Sequence, residues 1–250
     1  MFLVSAVLVM AALARSAYAG TRADYKQMFT TPVPGTSTGT DTQILYKNPN
    51  DPKAKPIPVR QEFFTFPDGT TYDGSVVPDC NASDLEITLF AKDACPAESW
   101  IGGGLGDTTM SGFDNEERAL DLDAWDQGDV VVVYGRDHQT GIGATMRVTQ
   151  NGQTFTVDMH RSPGGPPDGE TAVRRVDNVF PARSADNRAY IRTPPTCPPS
   201  GVWTFTARFT FADGVVEHDR YDMPCQRPPA ATATRHKRDR HHRRHRHRRR

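Results

Sequence analysis

At 250 residues with 36% apolar content, the chain can hold one domain of ordinary size or two small ones, each with a real core. Twenty Pro and twenty Gly exclude a helical bundle as the main architecture, because both residues are costly inside helices, and favour strands joined by turns. The formal charge of zero conceals an asymmetry: ten Lys and Arg against one acid fall within Arg235–Arg250, so the end of the chain is cationic and the body acidic.

In chain order, the apolar run Met1–Ala14 and the small-x-small triplet Ala17-Tyr18-Ala19 predict a secretory signal over 1–19. That run is shorter than the roughly 20 residues that span a bilayer, and no later segment is apolar enough to cross one. Residues 20–58, rich in Thr, Pro, Gly and Asn, read as a largely extended lead-in with one apolar stretch, Ile44-Leu45-Tyr46, as material for an edge strand. Residues 59–225 form the predicted β domain, and 226–250 a disordered Arg/His-rich tail.

Within the domain, Phe63, Phe64 and Phe66 run into a Pro67-Asp68-Gly69 turn. Ser83-Asp84-Leu85-Glu86 has the spacing of a capping box and predicts a short helix over Asp84–Lys92. The β-branched run Asp129–Tyr134 predicts a strand buried on both faces. Asn151-Gly152 predicts a hairpin that sets Val148 opposite Phe155, Met146 opposite Val157 and Ala144 opposite Met159 on one apolar face. Ser162–Gly169 reads as a loop and Val173–Phe180 as a strand. Trp203, Phe205, Ala207, Phe209 and Phe211 then alternate with polar residues before an Asp213-Gly214 turn and a return strand, Val215–Tyr221.

Export places Cys80, Cys95, Cys197 and Cys225 in an oxidising compartment, where an even count reads as disulfides. Three pairings are possible. The sequential one is favoured, because a Cys80–Cys95 bond ties both ends of the short helix to the sheet and the second hairpin brings Cys197 near Cys225. The fold class expected is therefore mainly β: an antiparallel, β-sandwich-like domain with one short helix between Cys80 and Cys95.

Two segments carry a resemblance. Pro67-Asp68-Gly69-Thr70, Val77–Leu85 and Ala94-Cys95-Pro96-Ala97-Glu98-Ser99-Trp100-Ile101-Gly102-Gly103-Gly104 make up the first; Pro194-Pro195-Thr196-Cys197-Pro198 through Phe211-Ala212-Asp213-Gly214 to Pro224-Cys225 make up the second. Together, over about a third of the chain, they resemble a group of exported, uncharacterised proteins of high-GC actinobacteria that share this cysteine frame. The resemblance implies export and local disulfides, and brings no activity or catalytic residue with it.

The candidates for chemistry are few. His138, His160 and His218 read as surface histidines, no Gly-x-Ser-x-Gly elbow nominates a nucleophile, and no catalytic residue or cofactor is assigned. Ile101–Asp107 lacks the spacing of a phosphate-binding loop and reads as a glycine-rich turn or bulge. The acidic run Asp114–Asp129 fits neither an EF-hand nor an RTX repeat; a solvated loop is the favoured reading, and calcium held by Asp121, Asp123 and Asp126 the alternative. Arg235, Lys237, Arg238, Arg240, Arg243, Arg244, Arg246, Arg248, Arg249 and Arg250, interleaved with five histidines, would attract anionic cell-wall polymers or other polyanions by counterion release. Lying along the acidic body, or compositional drift, would equally account for that tail. The function expected is a non-enzymatic secreted or cell-envelope binding or structural module, with a secreted hydrolase of wall or polymeric substrates as the rival.

Overall fold

The computed structural model describes residues 21–109, 117–165 and 168–226. The signal segment 1–19, the acids Asp114 and Glu116, and the cations Arg235–Arg250 lie outside the described residues. The strands are, in chain order, β1 (Ala23–Phe29), β2 (Thr40–Tyr46), β3 (Val59–Thr65), β4 (Thr71–Tyr72), β5 (Trp100–Thr109), β6 (Glu117–Asp126) and β7 (Val130–Asp137). They continue with β8 (Gly143–Asn151), β9 (Thr154–Asp158), β10 (Ala172–Phe180), β11 (Ser184–Ala185), β12 (Arg188–Ala189), β13 (Ile191–Arg192), β14 (Val202–Phe211) and β15 (Val216–Pro224). One α-helix, α1 (Asp84–Phe90), precedes β5.

Eleven strands form a single antiparallel sheet in the order β1-β2-β10-β5-β6-β7-β8-β9-β3-β14-β15. The mainly antiparallel β fold expected from the sequence is the one found, and its facing layers are opposite walls of this one curled sheet. The two edges meet. Backbone N–H groups of Arg22 and Tyr25 donate to the carboxylates of Glu217 (2.8 Å) and Asp219 (3.1 Å), and the N–H of Phe29 donates to Sδ of Met223 (3.2 Å). The seam is thus closed by side chains of β15 rather than by a backbone ladder, giving a nearly closed barrel.

The segment read as an extended lead-in supplies two of these strands, a correction to the sequence reading. Ala23, Tyr25, Gln27 and Phe29 alternate inward along β1, and β2 is paired on both sides, by β1 and β10. The alternation was masked by Gln27 at an inward position and by Asp24 and Lys26 between.

β7 has the double burial its composition predicts. Val131 and Val133 face the barrel interior, while Val132 and Tyr134 pack outward with Trp125, Ile87 and the Cys80–Cys95 pair beneath α1. The capping box is formed: Ser83 Oγ accepts from the Glu86 N–H, and the Glu86 carboxylate accepts from the Ser83 N–H at 2.8 Å. The helix ends at Phe90, two residues before Lys92, and a 3-10 turn over Ala91–Ala94 leads into Cys95. Both predicted disulfides, Cys80–Cys95 and Cys197–Cys225, are present.

Two local expectations are corrected. The first hairpin places Val148 opposite Val157 and Gln150 opposite Phe155, with Gly152 at positive φ and Gly152-Gln153 as the turn. Moving the turn one residue along shifts the pairing by two and preserves parity, so the apolar residues still share the inner face. Ile101–Asp107 is not a turn but the body of β5; of the turn or bulge expected there, only a bulge-like register shift is found, between Trp100 and Gly102. Its glycines permit close approach: a Cβ on Gly103 would come within 2.3 Å of the Leu122 carbonyl oxygen, and one on Gly104 within 1.8 Å of that of Asp177.

Candidate functional site

Eleven strands enclose more space than the side chains of a narrower barrel fill. Here the filling is uneven. Strands β1, β3 and β14 turn Tyr25, Phe29, Phe64, Trp203, Phe205 and Phe209 inward, and these rings pack edge to face or stacked. Strands β5 to β10 turn in smaller or thinner groups instead, among them Gly106, Leu122, Val133, Gly135, Met146 and Val176. The shortfall leaves a cavity of about 450 Å3 with a largely apolar wall.

At the end where β4 pairs with β13, the barrel is plugged by Phe66, Tyr72, Tyr190 and Ile191. At the opposite end the wall includes Ile142, which is 68% exposed, together with His160, Ser162 and Pro163, so the cavity reaches the surface there. A buried cation holds the loop beside this mouth. Lys55 Nζ donates to the Asp168 carboxylate (2.5 Å) and to the carbonyls of Gly165 and Glu170, while Arg60 and Arg161 both pair with the Glu170 carboxylate.

Polar groups interrupt the apolar wall at a few positions. Glu62 on β3 is 4% exposed, lines the cavity and accepts a hydrogen bond at Oε1 from the Tyr46 hydroxyl. Burial pushes its carboxyl up from the ordinary 4.5 to about 7, against the lowering effect of the Tyr46 bond. Burial first, then the neighbouring carboxylate, raises the Tyr46 hydroxyl well above 10. Gln27, Thr42 and Asn178 occupy paired inward positions on the adjacent strands β1, β2 and β10. Asn178 Oδ1, Thr108 Oγ1, Asp137 Oδ2 and the Tyr72 hydroxyl are buried cavity-wall atoms with no hydrogen-bond partner among the described residues. Such atoms cost the fold on the order of 1–3 kcal/mol each unless something else satisfies them.

None of these polar residues was singled out from the sequence. The available signal was parity: Glu62 shares a strand face with Phe64 and Phe66, and Gln27 with Tyr25 and Phe29.

The residues that were singled out lie elsewhere. Asp121 and Asp123 point outward, Asp121 toward His138 (2.8 Å) and Asp123 accepting from Trp100 Nε1 (2.9 Å) with Lys92 beyond. Asp126 is buried at the plugged end, where it accepts from the Tyr190 hydroxyl (2.5 Å) and the Gly128 N–H (2.8 Å); burial raises its carboxyl despite both bonds. Strand alternation therefore sets Asp126 apart from Asp121 and Asp123, which share the outer face and are engaged by His138, Trp100 and Lys92. Among the described residues no group of three or more His, Cys, Asp or Glu is gathered as metal ligands. His138, His160 and His218 are exposed, and among the described residues none is hydrogen-bonded to a serine hydroxyl. Cys80, Cys95, Cys197 and Cys225 serve as two structural crosslinks, one beneath α1 and one joining the approach to β14 with the end of β15. Comparison with protein-family models, with curated proteins and with solved structures finds no match for this chain.

Proposed function

We propose that the protein is an exported binding barrel that takes a small, mainly apolar molecule into its interior. The observation that carries this reading is the cavity of about 450 Å3, apolar over most of its wall, reaching the surface at one end and studded with buried polar atoms that lack a partner among the described residues. Ligand sites commonly combine such a volume with a few convergent polar groups. Two disulfides, and the lack among the described residues of any helix long and apolar enough to cross a membrane, accord with a chain that works outside the cytoplasm. The rival reading, a secreted hydrolase, gains no support from the positions of the histidines. Retention at an anionic wall through Arg235–Arg250 belongs to the same proposal and is tested separately, by comparing the full chain with one ending at Thr234 on heparin at low salt.

The test of binding uses Nile red, a neutral dye that brightens in apolar surroundings. Saturable uptake is expected, with Ala144→Trp, a substitution at an exposed wall position near the mouth, abolishing it while far-ultraviolet circular dichroism stays unchanged. Failure of the wild-type protein to take up the dye, or equal uptake by the variant, would sink the reading.

A further inference from the structure

Resting on that reading, the geometry points to a ligand with an apolar body and a protonated amine, received by the Glu62 carboxylate. Each of the other charged side chains on the cavity wall except His160 has at least one partner, although Asp137 keeps its Oδ2 buried and without a hydrogen-bond partner among the described residues. Asp137 accepts from the backbone of Gln139 (2.8 Å) and Thr140 (2.6 Å), Arg60 is engaged by Glu170, Arg175 by Asp177, and Asp158 by the Gln61 amide (2.7 Å). His160 is exposed at the mouth. Asp158 is exposed and Asp137 has the Arg118 guanidinium at 3.8 Å, so among the described residues Glu62 is the buried acid of the wall not matched by a cation, and Tyr46 occupies one of its two oxygens.

A carboxylate in an apolar cavity is stabilised by an incoming cation and strongly opposed to an incoming anion, because the low local dielectric magnifies both terms. Asn178 Oδ1 is a second acceptor in want of a donor, and an ammonium group offers three N–H donors. The Thr108 and Tyr72 hydroxyls can accept as well as donate, so they add to an acceptor-rich lining.

The same arrangement makes binding depend on pH. Burial puts the Glu62 carboxyl at about 7, where it is partly ionised near neutrality. The groups facing it leave that transition to the ligand. Tyr46 on β2 stays a neutral donor, Val157 on β9 and Phe209 on β14 sit at the paired positions and carry no charge, and Arg60 on its own strand is held by Glu170. Affinity for an amine therefore rises as the pH climbs through about 7.

The experiment compares naphthylmethylamine, naphthylmethanol and naphthoic acid, which share a ring and differ in the head, by titration calorimetry on the full disulfide-bonded protein. At about pH 8 the amine is expected to bind roughly tenfold or more tighter than the alcohol, with the acid weakest. The preference should shrink below about pH 6 as Glu62 takes up its proton. Glu62→Gln is expected to remove the amine preference while leaving the alcohol within about twofold. Tyr46→Phe, which strips a stabilising donor from the carboxylate, is expected to keep the preference and move its pH midpoint upward. Alcohol binding with no amine preference, or a preference that survives Glu62→Gln, overturns the inference and leaves the binding-barrel reading standing. Exclusion of all three compounds overturns both.

Discussion

A carboxyl group sealed inside a barrel is tolerated in its neutral form and penalised when it ionises. For Glu62, burial raises the carboxyl from the ordinary 4.5 to about 7, so between those values the unfolded chain has released a proton that the folded protein retains. Unfolding free energy contributed by this group falls as pH rises through the window, by roughly 3 kcal/mol in total, and is level above it. Asp168, Glu170 and Asp213, held below the usual carboxylate range by their lysine and arginine partners despite the cost of burial, work in the opposite direction. The difference between Glu62→Gln and wild type isolates the one group: urea midpoints are expected to differ little near pH 4.5 and to diverge in favour of the variant toward pH 7.5. A difference that stays constant with pH would refute the assignment. At this scale the sequence was partly legible. Glu62 at the inward parity of Phe64 and Phe66 was visible, but Phe63 on the opposite parity blurred the alternation; it lies outside the barrel beneath the Arg208 guanidinium, 3.8 Å from the ring centroid. Asn178 gave no signal, because its meaning depends on which strands flank β10.

Elements governed by neighbours in sequence came through most clearly. The capping box at Ser83 and Glu86, the doubly buried β7, the aromatic alternation of β14 and both crosslinks could be read because each depends on contacts within a few residues or across one turn. The hairpin of β8 and β9 kept its face and lost its register, since Asn151-Gly152 and Gly152-Gln153 are both able to supply a two-residue turn and only pairing with β7 and β3 chooses between them. The turn alternative for the glycines of β5 failed for a related reason: the carbonyls that forbid a Cβ at Gly103 and Gly104 belong to β6 and β10. Gly104→Ala is accordingly expected to destabilise the fold by about 1–3 kcal/mol or more, measured as a lowered melting temperature, even though alanine is the better residue for an isolated strand. Opening Cys80–Cys95 by a double change to alanine is expected to cost about 3 kcal/mol on the chain-entropy account of its 15-residue separation, with α1 losing protection from hydrogen exchange before the sheet does. Equal protection loss across α1 and β14 would contradict that local role.

Closure of the whole sheet could not be read from local pattern, because it joins residues about two hundred positions apart and its first two strands lie in a stretch of unpromising composition. The same long-range pairing decides how much of the chain is needed: removing residues 20–46 should abolish cooperative unfolding altogether, whereas a dispensable leader would leave the melting curve intact. Arg22 and Glu217 are 195 positions apart, as far as any two partners in the seam. A polypeptide emerging from a membrane channel or a ribosome meets its own beginning only when its penultimate segment is out. Until then the inner rings and the future cavity stay open to water, and the last strand to appear serves as the stave that makes the cask hold.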